Sequence, residues 1–128
     1  MKLLLDTHAF FWWFSGSSRV SLPARRAIAD ETNDVLISAV TAWEIATKHR
    51  IGKLPDAEAL TLDITGAIAG QNFVELPITV EDAARAGALP GPHRDPFDRM
   101  LIAQALARNL VLISNESLFD RYGVHRLW

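Results

Sequence analysis

Acidic residues recur in this sequence at the places where an apolar run gives way to a helix. Asp6 follows Leu3-Leu4-Leu5, Glu44 comes soon after Val35-Leu36-Ile37-Ser38, and Glu116 follows Leu110–Ile113 in the stretch Ser114-Asn115-Glu116. Asp95 and Asp98 open the periodic segment that leads into that last run. Carboxylates drawn to one place repel each other, which raises their pKa values unless a cation sits among them. A hard divalent ion answers that repulsion, because Mg²⁺ and Mn²⁺ prefer carboxylate and water oxygens. Such an ion can activate water and stabilise the charge of a phosphodiester in displacement. Asp6, Glu44, Asp98 and Glu116 are therefore candidate metal ligands and catalytic residues of a nuclease.

Each acid taken singly also has a purely structural reading. Asp6 can cap the helix after it, since a carboxylate suits the positive helix end. Thr41 and Glu44 have the spacing of a capping box, and Asp95-Pro96-Phe97-Asp98 reads as N-cap, proline at N1 and an acid at N3. Caps account for acids at helix starts. They do not account for acids converging on one end of a sheet.

The elements that must bring them there follow from the apolar pattern. Leu3–Leu5, Val35–Ile37 and Leu110–Ile113 are short, wholly apolar runs, as expected of strands covered on both faces. Phe73–Leu76 is a weaker strand, and Val124–Leu127 adds an edge strand after a short helix near Leu118. Between them lie predicted helices over Ala9–Phe14, Ser21–Asp30, Thr41–His49, Pro55–Gly70, Thr79–Gly87 and Asp95–Arg108. Strands alternating with helices predict parallel βαβ units in a three-layer α/β sandwich. In such a sheet the working site lies beyond the carboxyl ends of the strands, where strand order reverses.

Composition narrows the alternatives. The chain has 128 residues, 49% of them hydrophobic and 22% charged, which is enough for one domain over residues 1–128 with a buried core. Its formal charge of −2 means that any nucleic-acid contact must rest on a local basic patch. Lys48, Arg94 and Arg99 are the candidates, the arginines flanking the acidic pair. There is no cysteine, which excludes disulfides, thiolate metal sites and a cysteine nucleophile, and suits a reducing cytoplasm. Asp6 and His8 interrupt the opening leucines, so a secretory signal is not expected, and no run approaches the roughly 20 apolar residues of a membrane span. His8, His49, His93 and His125 lack the paired spacing of zinc sites, and no P-loop, G-x-G-x-x-G or G-x-S-x-G occurs. A receiver-like signalling domain is also disfavoured, because the strand ends Ile37-Ser38 and Ile113-Ser114 lack the acceptor Asp and the Lys it needs.

The segments LLLDTHAFFWWF, ISAVTAWEIATKHRIGKL and HRDPFDRMLIAQALARNLVLISNESLFDRYGV, in this order and spanning nearly the whole chain, resemble the PIN-domain nucleases, specifically the VapC-like toxins of bacterial toxin–antitoxin pairs. The resemblance implies an α/β/α sandwich whose central parallel sheet has strand order 3-2-1-4-5. It implies Mg²⁺- or Mn²⁺-dependent endoribonuclease activity that leaves 5′-phosphate and 3′-hydroxyl ends, and inhibition by a cognate antitoxin. By motif position Asp6, Glu44 and Asp98 match the first three family acids, and Asp95 is an additional acid. The fourth position departs from the pattern: the family usually has Asp where this chain has Glu116, with Asp120 a poorer substitute. The aromatic run Trp12-Trp13-Phe14 is expected to turn one or two rings toward a homodimer or antitoxin interface. The alternative is a catalytically weak PIN scaffold that only binds RNA or a partner.

Overall fold

The three opening leucines form the central strand. β1 (Lys2–Leu5) has Leu3, Leu4 and Leu5 all fully buried. Alternation of side chains along a strand sends Leu3 and Leu5 into one core cluster and Leu4 into the other. Three consecutive apolar residues after the exposed Lys2 are what a position buried on both faces requires. The computed structural model describes residues 1–128.

β2 (Asp34–Ser38) and β4 (Val111–Ile113) flank β1, and β3 (Val74–Leu76) and β5 (His125–Leu127) form the edges. The order is β3-β2-β1-β4-β5 and every pairing is parallel, as expected. Leu4 sits in register with Leu36 on one side and Leu112 on the other. The chain thus builds outward from β1 through β2 to β3, then crosses to β4 on the far side. Strand order reverses at the β1/β4 junction, the place where α/β sheets bind ligands.

One face of the sheet packs against α1 (Thr7–Phe14), α2 (Leu22–Ala29), α4 (Glu58–Leu62) and α5 (Ile64–Gly70), through Phe10, Ala24, Ile28, Leu60 and Ile68. The other face packs against α7 (Pro96–Arg108), through Leu101, Ile102 and Ala105. α6 (Val80–Ala88) lies against α7. α3 (Ala39–Arg50) contributes to both clusters, Ile45 to the first and Val40 to the second. No helix is long and apolar enough to cross a membrane.

Local capping chemistry sets most helix starts. Ser21 accepts from the Ala24 amide at 3.2 Å, and Thr79 and Asp82 form a reciprocal capping box at 3.0 and 3.1 Å. Two expectations need correction. The helix expected over Pro55–Gly70 is broken into a 3₁₀ turn (Pro55–Ala57), α4 and α5. The break falls at Asp63, whose extended backbone (φ −158°) and side chain, accepting from Gly66 N at 3.0 Å, cap a new helix. The Thr41–Glu44 capping box does not form. α3 begins two residues earlier, capped by Ser38 Oγ at 3.1 Å from Val40 N, so Glu44 lies in the helix body. The region near Leu118 is a 3₁₀ helix, Ser117–Tyr122.

Candidate metal centre

Beyond the carboxyl ends of β1 and β4 lies a cavity of about 240 Å³ lined by Asp6, Thr7, His8, Glu44, Lys48, Asp95, Asp98 and Glu116. None of the lining residues is hydrophobic. The four acids expected to act together are therefore gathered there, with Asp95 beside them.

Each acid arrives by a different route. The Asp6 amide donates to Ile113 O at 3.1 Å, which prolongs the β1/β4 ladder by one step and fixes the residue at the strand end. Its Oδ1 accepts from Ala9 N at 2.8 Å, so Asp6 is a helix cap and a cavity carboxylate at once. The two readings of this residue are compatible because a carboxylate has two oxygens. Glu44 is 3% exposed and reaches the cavity from α3, where Thr7 Oγ1 donates to its Oε1 and Lys48 Nζ to its Oε2. Asp98 projects from the first turn of α7, and its Oδ2 is 2.9 Å from His93 Nε2. Asp95 caps that helix, with Oδ1 accepting from Phe97 N at 2.9 Å and Asp98 N at 3.2 Å. Glu116 stands exposed at the rim, where its amide donates to Ser114 Oγ at 3.0 Å.

Two of these carboxyls are strongly perturbed. Burial pushes Asp6 up to about 6, opposed by hydrogen bonds from Ser114 and the Ala9 amide and reinforced by the charges of Glu44 and Glu116. Asp98 is also pushed up to about 6, mainly by burial, with the His93 hydrogen bond opposing and the charges of Asp95 and Glu44 reinforcing. Lys48 loses by burial but is held above the ordinary lysine range by Glu44, Asp95 and Asp98. It is the one lysine or arginine among eight lining residues that include five acids. This excess of carboxylate oxygen in a polar cavity is the kind of surrounding that suits a hard divalent ion. No three His, Asp or Glu side chains are drawn into a closed cage. Asp6, Glu44 and Asp98 are instead each oriented by a hydrogen-bond partner, and with Glu116 at the rim they are the residues that would hold an ion.

The basic candidates fare differently. Lys48 lines the cavity, paired with Glu44. Arg94 is exposed outside the lining set. Arg99 is also outside it, since the residue after Asp98 on a helix points about 100° away. Its guanidinium donates to the carbonyls of Ala86, His93, Gly87 and Leu89 at 2.9, 2.9, 3.3 and 2.5 Å. A fork so occupied is a clamp on the loop before α7, and the expectation that it holds phosphate is corrected accordingly. Asp120 is bound by Arg126 at 2.8 and 3.0 Å and does not reach the cavity. Three contributors were missed from the sequence: Thr7, Ser114 and His93. Thr7 and Ser114 each adjoin a strand end and were open to notice. His93 reaches Asp98 through a loop whose path no local pattern reveals.

The topology and the acid-lined cavity at the β1/β4 crossover define a three-layer α/β protein with an acidic site at its crossover. The chain belongs to the PIN domain family, which it matches over residues 3–124. It is 29% identical over 119 residues to Ribonuclease VapC22 of Mycobacterium tuberculosis, covering 89% of this chain and 86% of that relative. Among solved structures it is similar to VapBC2 from Rickettsia felis bound to a promoter DNA fragment, with TM-score 0.71 and 16% identity over 99% of this chain and 98% of that one. It is also similar to DNA-bound VapBC from Salmonella typhimurium, with TM-score 0.64 and 17% identity over 99% and 97%.

Proposed function

We propose that this chain is a Mg²⁺-dependent endoribonuclease, with Mn²⁺ as a substitute, and the toxin of a VapBC-type toxin–antitoxin pair. The observation that carries the reading is the set of acids facing one polar cavity at the sheet's crossover, two of them raised to about 6. The family membership and the likeness to a relative named as a ribonuclease favour RNA as the substrate. A bound ion would supply an activated water and a counter-charge for the phosphodiester oxygens.

The chain's own residues do the rest. Asp6, buried at the β1 strand end, and Asp98, half-buried at the α7 N-terminus, form the floor of the site. Thr7 and Lys48 fix both oxygens of Glu44, so its carboxylate does not swing when charge develops nearby. Lys48 also carries an ammonium to the cavity, where it can accompany a phosphate. Glu116 stands at the rim, one methylene longer than the usual aspartate, and completes the acid set. The protein acts as a single domain in the cytoplasm, partnered by a cognate antitoxin and forming a homodimer.

The test is metal-dependent cleavage of RNA by Asp6→Asn and Asp98→Asn. Both variants are expected to fold, to lose cleavage, and to relieve the growth arrest caused by the parent chain. Full activity in both would sink the assignment. Metal binding without cleavage by the parent chain would favour the scaffold that only binds RNA or a partner.

A further inference from the structure

Of the aromatic run on α1, Trp13 is absorbed by the fold: its ring lies 6.5 Å from Phe73, and its indole donates to Gln71 Oε1 at 3.0 Å. Trp12, also half-buried against the first core cluster, is neighbour instead to His8. His8 and Trp12 are one helical turn apart on the same side of α1, their ring centroids 5.3 Å apart and tilted by 43°. Trp128, just past the end of β5, extends the row, 5.9 Å from Trp12. Arg19, exposed, sits with its guanidinium 5.6 Å from the Trp12 ring. His8 is itself exposed and is a lining residue of the acid cavity. An aromatic row thus begins inside the proposed active site and carries an exposed cation at its middle ring, Trp12.

We infer that His8, Trp12 and Arg19 form the track for single-stranded RNA next to the scissile phosphate, with a base stacking on the His8–Trp12 rings and Arg19 taking a backbone phosphate. The inference rests on the ribonuclease reading given above. Stacking suits a site that must hold RNA beside a cavity full of negative charge, because every base offers a π-face whatever the sequence. Unpaired RNA bases are ordinarily held on aromatic or histidine rings and arginine planes. Continuity with the cavity and the exposed guanidinium beside Trp12 favour RNA over a protein occupant.

The experiment uses a labelled random-sequence single-stranded RNA pool with Mg²⁺ present, and compares the parent chain with His8→Ser, His8→Phe, Trp12→Leu, Arg19→Gln and Asp98→Asn. His8→Ser is expected to raise KM on the order of tenfold, with a lesser effect on kcat, and His8→Phe to restore it because the ring returns. Trp12→Leu should act in the same direction, read at a temperature where circular dichroism shows it folded. Arg19→Gln should lower the slope of log affinity against log salt by about 0.7. If Asp98→Asn abolishes cleavage while KM and the salt slope are unmoved in the other variants, the track is wrong and the nuclease reading stands. If the parent chain neither binds nor cuts the pool, both fall. Loss of a purified partner protein's binding in His8→Ser, with RNA affinity intact, reassigns the row to a protein interface and overturns the inference.

Discussion

Replacing Asp6 by Asn should make the metal-free protein more stable. The Asp6 carboxyl titrates at about 6 in the folded chain, against about 3.9 when unfolded. Folding therefore favours its protonated form. The two states hold the same proton below the unfolded value, and the penalty for carrying the charge grows as pH rises through the folded value. The gap of about two pH units corresponds to about 3 kcal/mol at neutral pH. Asparagine removes that charge yet keeps an oxygen for the Ala9 amide, because it caps helices as well as aspartate does. For a chain of this size about 3 kcal/mol corresponds to a rise of roughly 10 °C in melting temperature. Calorimetry of both proteins in chelator, from about pH 4 to pH 7, measures this directly. The parent's stability should fall with pH across that range, and Asp6→Asn should fall less, the remaining slope coming from Asp98. Saturating Mg²⁺ should raise the parent's melting temperature by mass action and the variant's much less. A variant no more stable than its parent near neutral pH, with an unchanged pH slope, would refute the argument that these acids are held against their own charge.

Three further outcomes follow from the same geometry. Asp82 is 2% exposed and accepts from Arg108 at 2.9 and 3.0 Å, from Gln104 at 3.2 Å and from Thr79 N at 3.1 Å. Asp82→Ala should lower stability by about 3 kcal/mol in urea unfolding, since it strands a partly buried guanidinium and undoes a cap. Its carboxyl is held well below the ordinary range, burial notwithstanding, by Arg108, the Thr79 amide and Gln104, so this contribution is present at neutral pH and lost in acid. Arg99→Lys should destabilise by about 2 kcal/mol, because an ammonium cannot satisfy four carbonyls spread as these are, while leaving the salt dependence of RNA binding unchanged. Glu116→Gln should weaken Mn²⁺ binding by about tenfold in calorimetric titration, about 1.4 kcal/mol, where Asp98→Asn removes it.

Much of this architecture was legible because short-range chemistry and tertiary demand agree. Three adjacent leucines can only be a doubly covered strand, and Asp6 after them must lie at its carboxyl end. The caps Ser21, Thr79 and Asp95 each stand before a periodic segment without a competitor. The failures occur where two local signals compete or where contacts are long-range. Ser38 and Thr41 are both plausible caps three residues apart, and the end of β2 decides for Ser38. Asp63 interrupts a run whose apolar spacing continues through it, and only the bend of the chain shows it as a cap. Arg99 adjoins Asp98 in sequence but not in direction, so proximity along the chain misassigned it. Asp6, Asp98 and Glu116 were legible because each stands at or just past a strand or helix end, while Glu44 lies one turn into α3. Which acid Thr7 and His93 would bond was not legible, since those hydrogen bonds depend on how α1, α3 and α7 meet.

The position of β1 has a consequence for biosynthesis. This strand pairs on one side with β2, made soon after it, and on the other with β4, made only after more than a hundred residues have been joined. Until β4 has been made, β1 has a bare edge and Asp6 has no Ile113 carbonyl to fix it. Asp98 likewise awaits α7, and Glu116 lies later still. On the proposed reading, a chain that stops short of β4 and Glu116 lacks both the carbonyl that fixes Asp6 and the last acid of the set.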